Sequence, residues 1–210
     1  MPDDPTERKR AVRDGYDAIA TSYAERRTPS ETETALLADF AAPLDGSARV
    51  LDAGSGRGVP VATALAPDHE VVCLDVSRVQ LALAGETVPA ARRVQGDLAD
   101  LPFEASTFDG VCALNAVIHV PVGEHAAVYR EFARVLAPGG HLLVSLGASA
   151  WSGRNENWLD AGVPMRWSFP DLDTSLSHLA AAGFVPVGRE TVADDLGDGA
   201  WEFVRARYEG

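Results

Sequence analysis

Lysine is almost missing from this 210-residue chain, for Lys9 is the only one among 18 basic residues. Against 31 acidic residues the formal net charge is −13. A chain this acidic is repelled by phosphate backbones, which sets nucleic acid aside as a partner. A high-salt or GC-rich source accounts for the imbalance without a functional reading. Long hydrophobic runs are also missing: none approaches the ~20 residues of a membrane span. The start, Met1-Pro2-Asp3-Asp4-Pro5, is polar and acidic and does not read as a secretory signal. A soluble cytoplasmic protein with no membrane partner is the expectation.

Cysteine is scarce as well. Cys73 and Cys112 lie in the apolar runs Val71-Val72-Cys73-Leu74 and Val111-Cys112-Ala113-Leu114, without metal-ligand spacing. They read as small core residues rather than a redox pair, and no metal is expected. What the chain does have is ordinary for a globular protein, with 46% hydrophobic and 23% charged residues. Its length suits one domain with one sizeable core.

Val12, Tyr16, Ile19 and Tyr23 recur at helical steps, which predicts a helix from about Glu7 to Arg27. A second runs from about Glu31 to Phe40. Strand-like runs follow at Arg49 to Ala53, Val71 to Asp75, Arg92 to Gln95, Phe108 to Leu114 and His141 to Leu146, with helical segments between most of them. Pro60 suits the first turn of one such helix, and Ser77 with Gln80 reads as a capping box opening another. Glu124 to Leu136 forms a third, stopped by Pro138-Gly139-Gly140.

Alternating strands and helices imply a mostly parallel α/β sheet covered on both faces. Ligands then bind at the carboxyl ends of the strands. Gly183 to Glu190 and Ala200 to Tyr208, joined by the acidic turn Asp194 to Gly199, read as a closing antiparallel hairpin. Trp151 to Phe169 holds three of the four tryptophans. It is too polar and glycine-rich for a regular strand and too aromatic for a solvated loop. A packed surface loop, a lid over a substrate pocket (147–170) and a homodimer surface all fit it.

Val50-Leu51-Asp52-Ala53-Gly54-Ser55-Gly56-Arg57-Gly58 is a buried strand running into a glycine loop, where the backbone approaches a ligand with no side chain between. Asp75 ends the next strand 21 residues after Gly54, at the position where an acid accepts from ribose hydroxyls. Asp97 follows the third strand. Three carboxylates around one ligand disfavour a pyrophosphate and favour a ligand carrying an ammonium and a sulfonium. Gly54-x-Gly56-x-Gly58 also lacks the G-x-G-x-x-G register of dinucleotide sites, since Val59 stands at its last position.

With these motifs the chain resembles the class I S-adenosylmethionine-dependent methyltransferases that act on small molecules. Gly96-Asp97-Leu98 is similar to the family's adenine-edge segment, Phe108-Asp109-Gly110-Val111 with Asn115 to His119 to its fourth-strand motif, and Leu136-Ala137-Pro138-Gly139-Gly140 to the turn before its fifth strand. Tyr16-Asp17-x-x-Ala20-x-x-Tyr23 is similar to the N-terminal helix that covers the cofactor, so residues 1–45 are expected over it. The resemblance implies a Rossmann-like seven-stranded sheet ordered 3-2-1-4-5-7-6, in which strand one separates Cys73 from Cys112 and rules out a disulfide.

It also implies S-adenosyl-L-methionine as cofactor. Gly54, Ser55 and Gly56 then lie at its methionine part, Asp52 near its amino group, Asp75 and Val76 at the ribose, and Asp97 and Leu98 at the adenine. Asn115 and Ala116 lie beside the sulfonium, with Tyr16 and Tyr23 above. The implied reaction is in-line displacement onto a small-molecule acceptor, which requires positioning and, for a protonated acceptor, a base. His119 is the candidate base, His125 being expected on a solvent-facing helix and His141 at the start of a strand. Arg154, Arg166, Tyr23 and the tryptophans Trp151, Trp158 and Trp167 are candidates for the acceptor pocket. An NAD-dependent oxidoreductase and a cofactor-binding module without activity are the competing readings.

Overall fold

The computed structural model describes residues 4–193 and 199–210. All but the last residue of the expected acidic turn, Asp194 to Gly199, lies outside the described residues. Helix α1 (Pro5–Arg26) begins where Asp4 accepts the Thr6 N–H at 3.0 Å, with proline in the first turn. Helix α2 (Glu31–Ala41) opens on a complete capping box between Ser30 and Glu33. The Glu33 carboxylate also pairs with Arg27, and both are buried. One acid thus caps α2 and ties it to the end of α1.

Strands β1 (Arg49–Ala53), β2 (Glu70–Asp75), β3 (Arg92–Gln95), β4 (Phe108–Ala113) and β5 (Leu136–Gly147) run parallel, with α3 (Val61–Leu65), α4 (Arg78–Thr87) and α5 (His125–Val135) in three of the crossovers. A hairpin of β6 (Trp151–Trp158) and β7 (Val163–Phe169) then stands apart as its own small sheet. After α6 (Leu172–Ala181), β8 (Phe184–Ala193) and β9 (Ala200–Tyr208) close the main sheet antiparallel. Its order is β3-β2-β1-β4-β5-β9-β8, the expected seven-stranded arrangement once the small hairpin is set aside.

Strand alternation sends side chains to two buried layers. Leu51, Val111 and Leu142 face Tyr129, Phe132 and Leu179 of α5 and α6. Val50, Cys73, Cys112 and Leu143 face α2, α3 and α4. Both cysteines are buried and free, each in register with Asp52 of the strand between them.

Four local expectations are corrected. Trp151 to Phe169 is not a loop but two paired strands, because Val163, Met165 and Trp167 alternate onto α1 and supply an apolar face. The turn between them uses positive φ at Leu159, Asp160 and Gly162. Helix α5 ends at Val135, and Pro138-Gly139-Gly140 lies within β5 where its register with β4 slips. His125 is 1% exposed instead of solvent-facing, its Nε2 3.1 Å from the Val120 carbonyl. Finally, Ser77 caps α4 by accepting the Gln80 N–H at 3.1 Å, but the Gln80 side chain returns no bond.

Candidate functional site

At the carboxyl ends of β1 to β4 lies a cavity of about 1030 Å³ including its open mouth. Its floor is the glycine loop. Gly54 has φ +79°, and a Cβ there would stand 2.3 Å from that of Ala116, so only glycine fits this crossing of two loops. Gly56 donates its N–H to Asp75 Oδ2 at 2.8 Å, and Ser77 donates its own to Asp75 Oδ1 at 2.8 Å. Burial raises the Asp75 carboxyl, and these backbone donors work against the rise.

Twelve of the thirteen residues expected at the site from sequence line this one cavity. Gly54, Ser55, Gly56, Asp75 and Val76 form one wall; Asp97, Leu98, Asn115 and Ala116 continue it; Tyr16, Tyr23 and His119 close it from above. Asn115 sits at φ +52°, a left-handed conformation that asparagine tolerates. Its N–H donates to Ser145 Oγ at 2.6 Å, which fixes that turn to β5.

Asp52 is the exception and corrects the picture of three carboxylates around a ligand. Alternation along β1 puts it on the Val50 side, under the loop and away from the cavity. It is 3% exposed with Oδ2 unpartnered. Burial first, and then the Asp75 charge, push its carboxyl up to about 8, so it is mostly neutral near pH 7. Of the two carboxylates that do line the cavity, Asp97 is paired with Lys9 at 2.6 Å.

Lys9 also pairs with Glu124, which leaves the chain's single lysine bridging α1 to the loops after β3 and β4. Burial alone would lower its pKa; the two carboxylates overcome this and raise it. Asp17 accepts from Ser77 Oγ at 2.5 Å and from the Val79 N–H at 3.3 Å, pinning α1 to the start of α4. Helix α1 is therefore the cavity's roof. The small hairpin backs it, with Met165, Trp158 and Trp167 packed on Val12, Tyr16 and Ile19.

His119 lies at the inner end, 9% exposed, in a 3-10 turn after β4. Its Nε2 is 2.8 Å from the Tyr16 hydroxyl and its Nδ1 3.1 Å from the Arg166 carbonyl. Burial pushes its pKa down to about 4, so the ring is neutral at physiological pH. Trp167 backs it at 5.8 Å between ring centroids, but none of Trp151, Trp158 and Trp167 lines this cavity. Arg154 is exposed on β6 and pairs with Glu156.

Sequence reasoning missed Lys9, Arg27 and Gln80 on the lining. Gln80 is 1% exposed, and neither its Oε1 nor its Nε2 has a partner. The Ser77–Gln80 spacing that suggested a mutual cap concealed this. The sign available was that Gln80 lies in the first turn of α4, directly after the strand that ends at Asp75. Among the described residues no cluster of His, Cys, Asp and Glu is suited to a metal, and no helix is long and apolar enough to cross a membrane.

A parallel sheet with its cavity beyond the strand ends, a glycine floor and an acid at the end of β2 defines a Rossmann-like nucleoside-binding protein. Residues 50–140, the stretch that carries the glycine floor, β2 to β4 and α5, match the methyltransferase domain family. The 27-O-demethylrifamycin SV methyltransferase of Amycolatopsis mediterranei is 32% identical over 180 residues, 80% of this chain and 65% of that one. Methyltransferase GfsG of Streptomyces halstedii is 41% identical over 111 residues, 49% of this chain and 39% of that one. This chain spans less than two thirds of the length of the curated relatives it matches.

Its fold is that of the Burkholderia thailandensis 1,6-didemethyltoxoflavin-N1-methyltransferase, solved with 1,6-didemethyltoxoflavin and S-adenosylhomocysteine. The two superpose with a TM-score of 0.78 at 22% identity, over 100% of this chain and 92% of that one.

Proposed function

We propose that this protein transfers a methyl group from S-adenosyl-L-methionine to a small-molecule acceptor, with His119 as the base. The observation that carries this is one cavity holding both a nucleoside cradle and a neutral histidine. Gly54, Gly56 and Asp75 form the cradle, and His119 lies across from it. The cradle fits the proposed cofactor on two counts. A Cβ at Gly54 would collide with Ala116, and Gln80 offers an unsatisfied amide donor and acceptor, the pairing that ribose hydroxyls complete.

When bound, S-adenosylmethionine supplies a methyl group on a sulfonium, open to in-line displacement. On this reading Asp75 and Gln80 orient the ribose, Asp97 and Leu98 flank the adenine, and Ser55 and Asn115 bound the methionine end. The roof of Tyr16 and Tyr23 excludes water from the reacting atoms. The β6–β7 hairpin carries the roof and holds His119 from behind through the Arg166 carbonyl. The acceptors in the relatives' names, a demethylrifamycin and a didemethyltoxoflavin, are small molecules, as is proposed here. The net charge of −13 supports a partner other than nucleic acid, and the composition supports a cytoplasmic site of action.

Titration calorimetry with S-adenosylhomocysteine and with NAD tests the cofactor, and binding of NAD alone overturns the reading. Methyl-labelled cofactor added to a metabolite extract is expected to label a small molecule. His119→Ala is expected to lower turnover well over tenfold while leaving S-adenosylhomocysteine affinity nearly unchanged. An unaltered rate removes His119 from the mechanism.

A further inference from the structure

The His119 ring is held at both nitrogens. The Arg166 carbonyl oxygen, 3.1 Å from Nδ1, can only accept, so Nδ1 carries the proton. Nε2 is then bare, and the Tyr16 hydroxyl 2.8 Å away donates to it. The basic nitrogen is thus covered by Tyr16. The hydroxyl also shares a hydrogen bond with Tyr23, which, with its own proton given to His119, leaves one lone pair for a donor in the cavity that both side chains line.

On the reading of this chain as a methyltransferase, we propose that Tyr16 and His119 form a proton relay serving a hydroxyl acceptor. Tyr16 Oη contacts the acceptor and His119 Nε2 receives the proton. The acceptor's O–H bond breaks and its O–CH3 bond forms as the methyl–sulfur bond breaks, its electron pair staying on sulfur. The acceptor proton passes to Tyr16 Oη and the tyrosine's own proton to Nε2. The positive charge lost at sulfur reappears on the imidazole, so the cavity carries the same charge before and after.

The hydrogen bond to Tyr16 Oη selects the hydroxyl, which donates there and keeps lone pairs for the methyl, whereas an ammonium has none; the proton affinities agree. Around the pair stand Tyr23, Asp75 and Arg27, facing Tyr16, and Arg8, facing His119. Burial, helped by Tyr23 and Asp75, holds Tyr16 well above the usual phenol range, so it passes a proton on without becoming a phenolate. His119, held near 4 mainly by burial, is a weak sink. It suits an oxygen that turns strongly acidic as the methyl arrives. It cannot deprotonate an ammonium acceptor, whose pKa is about 10, as for a lysine side chain. A thiol is a poor donor to Tyr16 Oη.

Two measurements test the relay. With 15N-histidine labelling, the wild-type protein without ligand is expected to show His119 protonated at Nδ1 and bare at Nε2. Tyr16→Phe, which keeps the ring and removes the hydroxyl, is expected to move the Nε2 signal. A proton on Nε2, or a signal that does not move, overturns the proposal.

With 13C-methyl cofactor and a metabolite extract, the product carbon is expected at a methoxy shift. Tyr16→Phe is expected to cost about a hundredfold or more in turnover with S-adenosylhomocysteine affinity kept, and added imidazole is expected to restore part of the activity of His119→Ala. A methyl on nitrogen or carbon, or a Tyr16→Phe enzyme of wild-type rate, overturns the relay while leaving methyl transfer standing. An enzyme that labels nothing overturns both.

Discussion

The floor and the roof of the cavity are built from different materials. The floor is mostly backbone: the turns at Gly54 and Gly56, and an Asp75 whose oxygens are held by the N–H groups of Gly56 and Ser77. The roof is side chains: Tyr16 edge-on to Tyr23 and to His119, Met165 under Gly15, and Lys9 between two acids. A backbone surface keeps its shape under most substitutions and suits the part of a reaction that does not vary. A side-chain surface changes with every substitution. On the proposed function the floor holds the methyl donor and the roof chooses the acceptor.

The largest effect is expected at the floor. Gly54→Ala puts a Cβ 2.3 Å from Ala116 at φ +79°. S-adenosylhomocysteine affinity is expected to fall more than a hundredfold by calorimetry, with circular dichroism unchanged. Retained affinity would mean that the floor yields, and the contrast would fail.

At the roof, Met165→Ala removes a side chain 1% exposed between α1 and the hairpin, a loss of about 2–5 kcal/mol for a buried methionine. Hydrogen exchange is expected to quicken along α1 and β7 while β1 and β4 keep their protection. Equal acceleration in both regions would show roof and floor to be one cooperative unit.

Gln80 sharpens the comparison because it belongs to the floor yet acts through its side chain. Gln80→Leu is expected to weaken S-adenosylhomocysteine about tenfold, roughly 1.4 kcal/mol. It is also expected to raise the melting temperature, since two buried unpaired polar atoms are removed. A lower melting temperature would show that those atoms have partners in solution.

The smallest effect concerns Asp52, beneath the floor. With its carboxyl raised to about 8 by burial, the folded chain holds a proton that the unfolded chain releases above about pH 4. This group's contribution therefore falls as pH rises from about 4 to 8. Asp52→Asn is expected to reduce the loss of melting temperature between pH 5 and pH 8. His119 and His125, both lowered to about 4, act in the opposite sense, costing stability as pH falls below about 6.5. An unchanged slope in Asp52→Asn would show that the carboxylate is solvated.

The parts readable in sequence were those governed by local rules. Residues Arg49 to Ala53 and Arg92 to Gln95 form strands with the expected bounds, the first as a buried apolar run and the second as a short extended stretch between turn signals. The Ser30–Glu33 box was overlooked in the sequence although its spacing is local, and the Arg27 pair that Glu33 adds to it joins two helices. Trp151 to Phe169 was misread because its polar outer residues hid an alternation that acquires meaning only when α1 supplies a surface to bury it.

Sequence alone determined the alternation of strands and helices, the glycine floor and the acid at the end of β2, since these depend on backbone conformation and short spacings, while the seven-stranded order came from the resemblance. Tertiary structure decided which side chains meet. It turned Asp52 away from the cavity by strand alternation, freed Gln80 from its cap, and brought Tyr16 to His119 across 103 residues of chain. Local sequence encodes torsions and spacing; the pairing of distant side chains follows only once the sheet has fixed how its helices and hairpin pack.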